Sequence, residues 1–123
     1  GQRLRTAVAS VLAMQPKLLL LDEPTTGQDK RNIEIMMSSF RDGDSGGAVV
    51  FCTHDVDNAA RFATRIILLD SGEIVGSGTP EEIFSDFSLV QRCSLRPPQA
   101  LSLSKELGLQ SCLDIEEVLS CLE

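Results

Sequence analysis

Two short runs constrain the fold of this chain more than anything else in it: LLLLDEP at residues 18–24 and AVVFCTHD at residues 48–55. Each begins as an unbroken apolar stretch and ends abruptly on polar side chains. Neither alternates as a strand with one wet face would. Continuous apolar runs of this length suit parallel strands covered on both faces. Between them, Asp29 to Arg41 carries Ile33, Met36, Met37 and Phe40 at helical spacing. The expected fold class is therefore α/β, an open parallel sheet, with ligand sites beyond the C-terminal ends of the strands.

The remaining punctuation extends that plan. Gln2 to Met14 reads as a helix on Leu4, Val8, Val11 and Leu12, closed by Pro16. Asp42 to Gly47 is a glycine-rich loop. Val56 to Ala63 predicts a helix, and Arg65–Leu69 with Glu73–Val75 predicts a hairpin around Asp70-Ser71-Gly72. Thr79-Pro80-Glu81-Glu82 has a cap residue, proline at the first helical position and acids in the first turn. Beyond Phe87 the texture turns serine-rich, with Pro97-Pro98 and two amphipathic segments, Gln99–Leu107 and Asp114–Leu122. That change divides the chain into residues 1–86 and a helical tail, residues 87–123.

Composition removes several function classes. The net charge is −7 and the basic residues are scattered, so no nucleic-acid partner is expected. No apolar run approaches the roughly 18–20 residues that a bilayer span needs, so a role at a membrane would come through a protein partner. The four cysteines include no CxxC, and the single histidine is distant in sequence from three of them, which points to reduced thiols rather than zinc or a disulfide framework. The chain starts at Gly1 rather than Met, as expected of a piece cut from a longer polypeptide.

The chemistry concentrates at the strand ends. An apolar strand that delivers Asp22 and Glu23 side by side places two carboxylates where burial is expensive without a cation. The plain alternative is that they open a solvated turn. Asp29 could simply cap the helix that follows, and His54 could be a structural histidine, although a strand tip between Thr53 and Asp55 is a poor place for one.

DEPTTGQD at 22–29 resembles the Walker B and D-loop run of ATP-binding cassette (ABC) ATPases. VVFCTHD resembles their second strand and H-loop, GQRLRTAVASVLAMQPK the helix after their signature motif, and RIILLDSGEIVGSGTPEEIFSD their closing hairpin and helix. The resemblance runs from Gly1 to about Asp86 in the family's order. It implies the C-terminal portion of a P-loop NTPase-type ABC ATPase domain, with ATP and Mg²⁺ as cofactors. It implies Asp22 as the Mg²⁺ ligand and Glu23 as general base for the attacking water. His54 would touch the γ-phosphate, Asp29 would reach across a dimer interface, and Gly1 and Gln2 would close over ATP on the partner. Gln28 departs from the usual D-loop leucine, and Ser10 stands where many relatives carry arginine. No G-x-x-x-x-G-K-[ST] is present, nor the family's adenine-stacking aromatic and Q-loop, so this piece by itself is expected to bind ATP poorly.

TTGQD, THDVD and GTPEEIFSD look most like the ATPases of energy-coupling-factor importers, and RPPQALSLSKELGL resembles their tail helix. This implies a second ATPase subunit, membrane coupling and substrate-binding subunits, a peripheral place on the cytoplasmic face of the membrane, and a vitamin or transition-metal ion as cargo. Two other readings compete. One is an ABC ATPase acting on DNA, against which the acidic balance speaks; the other is a truncated, non-catalytic interaction fragment.

Overall fold

The computed structural model describes residues 2–41 and 47–123; the side chains of residues 2–5 and 41 lie outside that description, as does most of the predicted glycine-rich loop. The chain forms two compact units, one ending at Thr53 and one running from His54 to Glu123. This boundary follows contacts, whereas the division at residue 86 follows sequence texture.

The first unit has the order α1 (Gln2–Leu12), β1 (Leu18–Asp22), α2 (Lys30–Arg41) and β2 (Ala48–Cys52). In α1 the ladder tightens at its end: the Met14 and Gln15 N–H groups donate to the carbonyls of Val11 and Leu12, and Gln15 takes a φ of 49°. The helix thus stops at Leu12, two residues before the predicted end. β1 and β2 pair in parallel and in step, Leu18 opposite Ala48 through Asp22 opposite Cys52. Parallel neighbours need a crossover, and α2 supplies it.

Paired residues share a face, and the two faces differ. Leu19 is buried, with Leu21, Val49 and Phe51 half-buried beside it. On the other face Leu18, Leu20 and Val50 are 53%, 68% and 54% exposed. Among the described residues, the expectation of strands covered on both faces is met on one face only.

The second unit runs α3 (Val56–Phe62), β3 (Ile66–Asp70), β4 (Glu73–Gly78), α4 (Pro80–Ser85), α5 (Phe87–Arg92), α6 (Gln99–Glu106) and α7 (Ile115–Ser120). β3 and β4 form an antiparallel hairpin with an irregularity between Leu68 and Leu69. Its two-residue turn puts Ser71 at φ 51° and Gly72 at φ 84°. That is the type I′ pattern matching strand twist, with glycine at the second left-handed position. α4 starts with a complete capping box: the Thr79 hydroxyl accepts from the Glu82 N–H at 3.3 Å, and the Glu82 carboxylate accepts from the Thr79 N–H at 2.9 Å. Ala60, Ile66, Leu68, Ile83, Phe84, Val90 and Leu101 close into one buried cluster, so the tail helices α5 and α6 share the core of the hairpin.

Candidate functional site

At the end of β1 the backbone ladder continues one residue past the strand: the Glu23 N–H donates to the Cys52 carbonyl at 2.8 Å. The tips of the two parallel strands are therefore tied together at the position where the acidic pair emerges. Asp22 is exposed and lies on the same face as Leu18 and Leu20; Glu23 is half-buried. The Glu23 backbone sits at φ 45°, in the left-handed region that costs a side-chain-bearing residue of order 1 kcal/mol or more. One carboxylate oxygen, Oε2, accepts from both the Thr53 hydroxyl at 3.1 Å and the Thr26 hydroxyl at 3.3 Å. Strand pairing brings Thr53 to Glu23 across thirty positions of sequence. In the sequence Thr53 stands out only as a neighbour of His54. The in-step register that makes it a partner of Glu23 has no signature in either run by itself.

This arrangement has a definite chemical capacity. Two carboxylates side by side at a parallel strand tip offer hard oxygen donors, one open to solvent and one fixed by hydroxyl donors. Such a fixed carboxylate can hold and orient a water molecule, while the exposed one can face a cation.

Asp29 is the cap of α2. Its side chain accepts from the Asn32 N–H at 2.8 Å and from the Asn32 side-chain amide at 2.6 Å. The same device recurs at Asp55, which accepts from the Asn58 N–H at 3.0 Å and the Asn58 amide at 2.7 Å. Each D-x-x-N run thus starts the helix that follows a sheet strand, satisfying first-turn N–H groups that have no partner within the helix. Gln2 is the first residue of α1, and Gly1 lies outside the described residues.

His54 opens the second unit, exposed, immediately before the Asp55 cap of α3. Within that unit the tail braces α3. The Gln99 N–H and side-chain amide donate to the two Asp57 oxygens at 2.7 and 3.0 Å, and Arg61 pairs with Asp114 at 2.8 Å. These ties join residues 42 positions apart in the first case, and only the fold reveals them.

No family model matches this chain. It is 45% identical over 122 residues to a protein of Methanosarcina acetivorans that is named provisionally as an ABC transporter ATP-binding protein, covering 98% of this chain and 19% of that one. It is 45% identical over 108 residues to the energy-coupling factor transporter ATP-binding protein EcfA2 of Methanospirillum hungatei, covering 87% of this chain and 27% of the relative. The corresponding EcfA3 of Oenococcus oeni is 43% identical, with 87% and 38% covered. Among solved structures, cbiO1 of Clostridium perfringens, described as part of the ABC transporter complex cbiONQ, superposes with a TM-score of 0.61 at 28% identity. That match covers 85% of this chain and 41% of cbiO1. The matched segments thus span between 19% and 41% of the length of these proteins.

Proposed function

We propose, from a chain that carries the sequence and fold of the C-terminal portion of an ABC ATPase domain, that its parent polypeptide hydrolyses ATP with Mg²⁺ to power an energy-coupling-factor importer. The observation that carries this reading is the Glu23 carboxylate, held by Thr53 and Thr26 on a left-handed backbone at the tied tips of two parallel strands. A carboxylate that merely opens a turn has no need of two hydroxyl donors or of an unfavourable backbone.

In this role Glu23 orients the attacking water and takes its proton, and Asp22 faces the metal. The donor set suits Mg²⁺, which takes one or two carboxylates and completes its shell with water and phosphate oxygens. The ion, when bound, neutralises charge on the phosphates. His54 contacts the γ-phosphate, while Gly1, Gln2 and Asp29 serve the interface with a second ATPase subunit. The cap made by Asp29 uses its side chain locally and is compatible with that second task.

Residues 1–86 act as the ATPase portion and residues 87–123 as its tail. The open apolar face of Leu18, Leu20 and Val50 is where the parent's phosphate-binding half would lie, in keeping with relatives more than twice as long. The chain by itself would then bind ATP weakly. The partners are membrane coupling and substrate-binding subunits, met at the cytoplasmic face, with a vitamin or transition-metal ion as cargo; relatives named as energy-coupling factor ATP-binding proteins support this choice.

The test is single-turnover hydrolysis and nucleotide affinity in the full-length parent. Glu23→Gln should bind ATP and Mg²⁺ as well or better, and should slow hydrolysis about 10²- to 10⁴-fold, roughly 3–5 kcal/mol of barrier. Asp22→Asn should instead weaken Mg²⁺ binding and recover partly at high Mg²⁺. Hydrolysis by Glu23→Gln at the parent rate would sink the proton-acceptor role.

A further inference from the structure

The sulfur atoms of Cys112 and Cys121 stand 3.9 Å apart in the second unit, nine residues apart in sequence. Cys112 is 2% exposed and packs with Ala100 and Val118, with Leu109 and Cys121 at the edge of the cluster. Its backbone N–H donates to the Ser104 hydroxyl at 3.3 Å, and its thiol donates to the Gln110 carbonyl at 3.2 Å. Cys121 is the C-cap of α7 and is half-buried. The other two thiols are placed differently: Cys52 ends β2 in the first unit, and Cys93 caps α5 against the main core.

We propose that Cys112 and Cys121 form a dithiol–disulfide site, oxidised by a low-molecular-weight disulfide. A sulfur–sulfur bond of about 2.05 Å needs roughly 1.9 Å of further approach, within reach of side-chain rotation at the helix-end Cys121. The more accessible Cys121 attacks first, as its thiolate. It breaks the oxidant's sulfur–sulfur bond, releases one thiolate and leaves a mixed disulfide on Cys121. Cys112 then gives up its proton and attacks the Cys121 sulfur, releasing the second thiol. Two cysteine thiols lose two electrons and two protons, and the oxidant is reduced to two thiols.

The environments suit this order. Burial, followed by the hydrogen bond and charge of Cys121, raises the Cys112 thiol above its usual range, so it is the poorer first attacker. Closure would fasten the end of α7 to the segment before it. That segment includes Asp114, which caps α7 and pairs with Arg61 of α3. The site stands independently of the ATPase reading.

The experiment uses the full chain carrying Cys52→Ser and Cys93→Ser, reduced and then exposed to glutathione disulfide. Glu116 and Glu117 lie between the two cysteines, so a glutamate-specific protease yields separate peptides unless the bond holds them together. Both thiols should be lost with no glutathione mass retained, the two peptides should stay joined, and dithiothreitol should separate them. Cys121→Ser in the same background should leave no joined peptides. Retained glutathione on either cysteine, or two thiols still open to alkylation in a chain with the circular dichroism of the reduced form, would overturn the proposal.

Discussion

Leu20 and Phe84 are both large apolar side chains, yet Leu20 is 68% exposed in the middle of β1 and Phe84 is 1% exposed in α4. The contrast follows from how each unit is built. Among its described residues the first has a parallel pair and two helices, and one face of the pair is open. The second wraps a hairpin and the helices α3 to α6 around one core, with α7 on a smaller cluster of Ala100, Cys112 and Val118, although Ile67, Leu69 and Ile74 still line an open face of the hairpin. An antiparallel ribbon can leave one face to water, whereas parallel sheets occur almost only with both faces covered. The lesson is that the unit bearing the acidic pair is the one whose own residues complete it least.

The contrast can be broken at its strongest point. Phe84→Ala should destabilise the second unit by about 3–5 kcal/mol, the usual range for a fully buried phenylalanine, read as a lower denaturant midpoint. A loss under about 1 kcal/mol would mean the cluster is not the close-packed core it appears in structure. Leu20→Ser should change stability by no more than about 0.5 kcal/mol and should raise solubility, because it removes apolar surface from an open face. A large loss of stability there would show that something covers Leu20.

The smallest expected effect concerns acid. The Asp86 carboxylate accepts from the Ser88 hydroxyl at 2.6 Å and the Leu89 N–H at 3.0 Å, and these bonds, the hydroxyl first, hold its pKa below the usual 3.8. A carboxylate with a lowered folded-state pKa adds stability that is present above the unfolded value and is lost as pH falls through the folded one. Stability should therefore decline below about pH 3.8, and Asp86→Asn should flatten that limb. Melting curves across pH 2–6 would show an unchanged slope if the bonds carry no weight.

Much of this molecule is legible in its sequence, and the failures have physical causes. Both strands of the first unit, the hairpin and the α4 cap follow from apolar runs and turn residues, which act locally. β4 runs on to Gly78, three residues past the predicted end at Val75. At 76 an added Cβ would stand 2.9 Å from the end of the Leu89 side chain, which would have to shift. α5 is one short helix, FSLVQR, started by the Asp86 cap, and too brief for periodicity to reveal. At the site, Asp22 and Glu23 announce themselves as adjacent acids on an apolar strand. The grip of Thr53 on Glu23, the brace from Gln99 to Asp57 and the nearness of Cys112 to Cys121 depend on the fold, and the residue pattern carries none of them.

The backbone of Glu23 has a consequence for how such a chain can change over generations. At a left-handed position glycine is the more comfortable residue by about 1 kcal/mol. Glu23→Gly would give a polypeptide whose β1–α2 turn is less strained and which, on the proposed reading, has nothing with which to accept a proton. The loss of the Thr53 and Thr26 bonds offsets that relief, so screening for thermal tolerance alone would hold Glu23 only weakly, whereas on the proposed reading screening for turnover would hold it firmly.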